Sequence, residues 1–187
     1  YSYHSIIYGV LLSVLITIIG IFFSEDLLKS MGSSYQSIIL SKEYVDIIFY
    51  GTIVFLILTA LNSILYAQGD TKTYRNVLFF GVIANIILNP IFIYGFLFIP
   101  SFGIAGLAIS TVMIQFVACI YILYKVNNTQ LKIKFELSNF LIKRNFLLNV
   151  FNQCMPITMA LFLVATGSYL ILSFISVFGD QAIAGYG

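Results

Sequence analysis

The stretch Asn85-Ile-Ile-Leu-Asn-Pro90 places polar chemistry where it is costly. It lies inside a run from Asn76 to Tyr124 that contains no Asp, Glu, Lys, Arg or His. Asn85 and Asn89 are four residues apart, so on a helix both amides share one face. Pro90 lacks an N–H, which frees the carbonyl of Ile86 on the preceding turn and tends to bend the helix. Two side-chain oxygens and a loosened carbonyl can coordinate a small cation or hydrogen-bond a substrate. The same residues also suit a plain structural role, with asparagines bridging helices and proline as a kink.

Other polar residues fall in apolar runs. Asn62 and Gln115 are costly to bury and are candidates to face a cavity. Ser110, Thr111, Thr158, Thr166 and Ser168 can bond their own helix backbone. Gly103 and Gly106 suit close helix packing. Cys119 and Cys154, both in apolar runs, read as buried free thiols. His4 is the single histidine, so a histidine-based metal or catalytic cluster is not available within this stretch of chain.

The elements that position these residues follow from composition. Of 187 residues, 60% are hydrophobic and 9% charged, against about 25% charged in soluble domains. The expected fold is all-α, a polytopic membrane protein. A helix needs about 20 apolar residues to cross the hydrocarbon core. Five segments qualify: Ile6–Phe23, Val45–Ala67, Asn76–Phe98, Gly103–Tyr124 and a longer one over Asn145–Phe178. The first turns of the last lie at the surface or in a bend near Pro156. Ile99–Gly103 breaks the third from the fourth, because Pro and Gly interrupt helices. The turn Gln68–Tyr74 offers Gly for positive φ and Asp or Thr to cap the next helix. Met31–Tyr44 reads as a Gly stop, a Ser cap and a short amphipathic piece. The chain opens at Tyr1 and reads as an internal fragment of a longer protein.

Charge orients the spans. The second-to-third and fourth-to-fifth links hold seven basic residues, Lys72, Arg75, Lys125, Lys132, Lys134, Lys143 and Arg144; the alternate links hold only Lys29 and Lys42. The richer side is expected in the cytoplasm, so the first and fifth spans run outward.

Several pieces, in order, resemble the multidrug and toxic compound extrusion (MATE) transporters. "AQGDTKTY" resembles the turn after that family's fourth helix. "NIILNPIFIYG" resembles its fifth-helix pattern N-x-x-L-D-P, and "GIAGLAIST" its sixth-helix pattern G-x-x-G-A-A-x-A-T. "MPITMALFLV…VFGDQAIAGYG" resembles its seventh helix, and "LLKSMGSSYQSIILSKEYVDI" the loop between its third and fourth. The family's topology agrees with the charge pattern.

The resemblance implies five of twelve transmembrane helices, arranged in two six-helix lobes. Residues 1–124 would belong to the N-terminal lobe, 125–144 to a cytoplasmic linker, and 145–187 to the first helix of the C-terminal lobe. It implies plasma-membrane export of cationic or amphipathic organic compounds by alternating access, driven by inward Na⁺ or H⁺, with no other cofactor. The partners implied are a small organic substrate and the lipid bilayer, with no nucleic acid; the oligomeric state stays open, a monomer included. The family's first-half cation site maps onto Asn85, Asn89 and Thr111, and a cavity-lining asparagine of its fourth helix onto Asn62. Gln115 joins the cavity candidates on its polarity. Asn89 stands where many relatives have Asp, and Val164 where relatives with a second-half site have Glu. An amide can ligate Na⁺ but takes up no proton.

The alternative is a polysaccharide or lipid-linked-oligosaccharide flippase of the same superfamily. Such a protein should line its cavity with Arg or Lys to hold phosphates, and the spans here have none. An intramembrane enzyme would need a metal cluster, an acidic diphosphate motif or a nucleophile–base pair, so no enzymatic activity is expected.

Overall fold

The structure is a computed structural model and describes residues 2–30, 35–97, 99–128 and 144–186. It is built from α1 (Ser2–Ser30), α2 (Tyr35–Ala67), α3 (Lys72–Tyr94), α4 (Ile104–Asn127), α5 (Arg144–Ile175), a 3₁₀ turn (Ser176–Phe178) and a short α6 (Asp180–Tyr186). Five of these helices are long and apolar enough to cross a membrane: Gly9–Ser30, Ser37–Ala67, Lys72–Tyr94, Ile104–Asn127 and Val150–Phe178.

The helices overrun or fall short of the apolar runs for identifiable reasons. Intrahelical hydrogen bonds do not depend on side-chain polarity, so α1 continues through Glu25, Asp26 and Lys29 to Ser30. Glu25 and Lys29 form a 2.8 Å ion pair one turn apart there. The amphipathic piece expected before the second span is continuous with it from Tyr35; the Gly stop and Ser cap over 31–34 lie outside the described residues. In contrast, α3 ends at Tyr94, four residues before the expected Phe98. Ile91 O still accepts from the Gly95 N–H, but a bridge between Phe96 and Ile99 then turns the chain. The apolar stretch after Tyr94 is therefore a loop.

The turn over Gln68–Tyr74 behaves as its residues dictate. Gly69 takes φ +80, a conformation that favours glycine. Asp70, not Thr71, provides the cap: its carboxylate accepts from the Thr73 N–H at 3.0 Å and the Thr73 hydroxyl at 2.6 Å. Those bonds from Thr73 hold the Asp70 carboxyl below its usual range.

The chain divides into two compact units. The first holds most of α1 and α2 together with α3 and α4. Its core is a stripe of Leu58, Leu61 and Leu65 on α2, spaced by three and four residues, against Ala118, Ile122 and Val126 on α4. Gly9 lies against the Leu56 backbone and Gly51 against Val112, so small residues bring α2 close to α1 and to α4. The second unit holds the last turn of α1, the first turn of α2, α5 and α6. Within it the Tyr169 hydroxyl donates to Ser30 O at 3.4 Å. Between Val150 and Val164, α5 is exposed, and Cys154, expected to be buried, lies on this exposed surface. Cys119 is half-buried against the core of the first unit. α5 runs through Pro156 as one helix. The linker expected over 125–144 lies, from 129 to 143, outside the described residues.

Candidate functional site

The polar residues of the third and fourth spans are organised by the α3–α4 hairpin. Its two helices meet where Gly106 faces the Phe92 carbonyl; a Cβ at Gly106 would sit 2.5 Å from that oxygen. The Phe102 and Gly103 N–H groups also donate to Phe92 O and Ile93 O, at 2.9 and 3.3 Å. Gly103 itself has no neighbour within 4 Å of a built Cβ. Its φ of +57 at the start of α4 makes it a turn residue rather than the packing residue expected.

Asn89 points at α4. The Ser110 hydroxyl donates to Asn89 Oδ1 at 2.5 Å and lies 3.0 Å from Leu107 O. Ser110 is fully buried and Asn89 half-buried. Thr111, the next residue, spends its hydroxyl proton on Leu107 O at 2.8 Å. Asn85 donates its amide to Gly81 O on its own helix at 3.2 Å. Pro90 lies inside an unbroken α3 with its ring exposed. The two asparagines thus differ in role: Asn89 bridges two helices, while Asn85 bonds along one.

What these groups retain is oxygen. A carbonyl oxygen offers two acceptor sites and a hydroxyl two lone pairs. Asn85 Oδ1, the second lone pair of Asn89 Oδ1 and the Thr111 oxygen are left as acceptors, which suits a cation or a hydrogen-bond donor. Neither α3 nor α4 carries a carboxylate to titrate. Among the described residues no three His, Cys, Asp or Glu cluster as metal ligands.

Asn62 sits within the buried leucine stripe of α2, between Leu61 and Leu65. It is 6% exposed, and its Oδ1 has no hydrogen-bond partner. An unsatisfied buried carbonyl costs about 1–3 kcal/mol. Gln115 is half-buried on α4. A groove of about 540 Å³ runs between α3 and α4, and none of Asn62, Asn85, Asn89, Thr111 or Gln115 lines it.

Two pairings escape the sequence reading. Ser110 was one hydroxyl among several, yet it faces Asn89. The signal was available: Asn89 stands ten residues before Ile99 and Ser110 eleven after it, so an antiparallel hairpin folded about Ile99 sets them opposite each other. The second pairing joins α1 to α2. Buried Ser24 donates to Asp46 Oδ1 at 3.3 Å, and one turn on in α2 Phe49 O accepts from the Thr17 hydroxyl at 2.8 Å.

Comparison with known proteins places this hairpin in a wider context. Residues 1–91 match the MatE family model. The chain is 27% identical over 180 residues to the probable multidrug resistance protein YoeA of Bacillus subtilis, covering 95% of this chain and 39% of YoeA. It is 30% identical over 172 residues to the probable multidrug resistance protein YpnP of the same organism, covering 90% of this chain and 36% of YpnP. A crystal structure of MATE in the bent conformation aligns with a TM-score of 0.80 and 25% identity, over 99% of this chain and 41% of that one. The chain therefore spans about two fifths of the length of the proteins it matches. With five apolar helices and such relatives, it is a multi-pass integral membrane protein.

Proposed function

We propose, from the match of residues 1–91 to the MatE family model and the similarity of the chain along its length to multidrug transporters, that the protein is a secondary active exporter of cationic or amphipathic organic compounds. Export proceeds by antiport against inward Na⁺ or H⁺ across the plasma membrane, two lobes alternating access to a central cavity. Residues 1–124 contribute four helices to the first lobe, 125–144 join the lobes, and 145–187 open the second. The observation that carries this reading is the likeness of 99% of the chain to a MATE structure at a TM-score of 0.80.

Asn85, Asn89 and Thr111 form the candidate cation site. Support comes from their hydrogen bonding, which leaves oxygen acceptors on all three. Pro90 adds the Ile86 carbonyl, which has lost its helical donor. Asn62 and Gln115 are the candidate substrate contacts; a substrate donor group would satisfy the partnerless Oδ1 of Asn62. Because α3 and α4 carry no Asp or Glu, this site suits Na⁺ directly, and proton coupling requires a carboxylate from elsewhere. The flippase alternative finds no support in the runs 45–67, 76–98 and 103–124, which hold no Lys or Arg.

The test is export by the full-length protein in a drug-sensitive host. Asn85→Ala should abolish most protection against a cationic drug, while the exposed Ile87→Ala should retain it at equal expression. If both variants protect as the unmodified protein does, the site assignment is wrong. If the unmodified protein protects against no cationic or amphipathic compound, the function is wrong.

A further inference from the structure

The groove between α3 and α4 has an apolar body and a basic mouth. Phe80, Ala84 and Leu88 line it from α3, and Met113, Val117 and Tyr121 from α4. Its polar lining lies at one end, where Asn76 stands near the start of α3 and Tyr121 near the end of α4. Each of these two residues holds a cation. Arg75 Nη2 donates to Asn76 Oδ1 at 3.4 Å. Lys125 Nζ lies 5.7 Å from the Tyr121 ring centroid, within cation–π range. Lys72 is exposed at the same end of α3. The nearby acid, Asp70, is occupied by the N–H and hydroxyl of Thr73. Three basic residues thus face one engaged carboxylate at the membrane surface.

The groove's length decides what it can seat. From Asn76 to Leu88 it runs along thirteen residues of α3, twelve rises or about 18 Å at 1.5 Å each. One leaflet of a 30 Å hydrocarbon core is about 15 Å deep. Beyond that depth the helices close, through the Asn89–Ser110 bond and the Gly106–Phe92 contact. A membrane-crossing helix needs a groove of full membrane depth, whereas an acyl chain needs one leaflet. The basic mouth lies on the side with seven basic residues, and the cytoplasmic leaflet is the one rich in anionic lipids.

We propose that the α3–α4 groove is a binding site for an anionic phospholipid, with one acyl chain seated against Phe80, Ala84 and Leu88 and the phosphate held by Arg75 and Lys125. The site is separate from Asn85, Asn89 and Thr111, and it stands whether or not the transport reading does. Bound lipid would tie the cytoplasmic ends of α3 and α4 to the leaflet.

The test uses the full-length protein in mild detergent, with dioleoyl phosphatidylglycerol and dioleoyl phosphatidylcholine as probes of equal tail length. Native mass spectrometry should show preferential retention of phosphatidylglycerol. Arg75→Gln and Lys125→Gln should each lower that retention about fivefold, as expected for one basic residue facing an anionic lipid, and leave phosphatidylcholine unchanged. Ala84→Trp should fill the groove and lower retention of both lipids. Equal retention of the two lipids by the unmodified protein overturns the proposal, and so does a charge-neutral double variant that keeps its phosphatidylglycerol. A disulfide between Ala84→Cys and a cysteine placed in another transmembrane segment would show that protein fills the groove, which also overturns it.

Discussion

The Ser110 hydroxyl lies 2.5 Å from Asn89 Oδ1, and that bond joins α3 to α4 toward the loop end of the hairpin. One hydroxyl proton serves both Asn89 Oδ1 and Leu107 O. Ser110→Ala removes the interhelical partner without changing packing volume greatly. Interhelical hydrogen bonds in membranes contribute about 0.6 kcal/mol on average and up to about 1.7. The variant should therefore lose about 1 kcal/mol of stability in detergent unfolding. A loss beyond about 3 kcal/mol would mean that the pair carries more than this bond.

Asn89→Asp adds a titratable group at a position where an amide now accepts from Ser110. If Asn89 lies in the ion site, the substitution should shift the pH dependence of transport in proteoliposomes. The new carboxylate can release and take up a proton during the cycle, which the amide cannot. An unchanged pH profile at equal activity would place Asn89 outside the ion site and leave it as a bridge between helices.

Asn62→Leu replaces a buried carbonyl oxygen that has no partner with an apolar side chain of similar size. Relief of the unsatisfied group should raise stability by about 1 kcal/mol, since such groups cost about 1–3 kcal/mol. Export should fall at the same time if Asn62 touches substrate. Thermal unfolding and drug protection, measured on one variant, separate these effects. A variant that is less stable than the parent would show that Oδ1 is satisfied in the full assembly.

Gly106→Val sets a side chain against the Phe92 carbonyl, 2.5 Å from where its Cβ would stand. The close approach at the loop end of the hairpin cannot survive it. Overpacking of this kind costs about 1–3 kcal/mol, visible as earlier thermal unfolding. Gly167→Ala on α5, with nothing within 4 Å of a built Cβ, is the control and should not lower stability.

Five apolar helices were legible because hydropathy and length report directly on crossing a bilayer. Their ends were less so. The loop after Tyr94 is as apolar as the helix before it, so composition alone could not mark the stop. At Ser30 and Tyr35 the error runs the other way, since polar residues continue a helix without penalty at the surface. Within the candidate site, the spacing of Asn85 and Asn89 gave their shared face but not their partners. Which amide meets α4 depends on how α4 is rotated and how deep it sits, and those are fixed by Gly106 against Phe92. The two glycines of "GIAGLAIST" show the same limit: residue type admitted packing at both, and only backbone geometry separates the turn at Gly103 from the contact at Gly106.

The contacts that close the loop end of α3 onto α4 join near neighbours along the chain. Asn89 and Ser110 are 21 residues apart, and Gly106 is closer still to Phe92. Contacts between near neighbours form early, because little loop entropy is lost in making them. The hairpin can therefore zip from its connecting turn as soon as both helices have left the translocon. Asn89 then need not wait in lipid for a distant helix, because its partner follows 21 residues behind it in the chain.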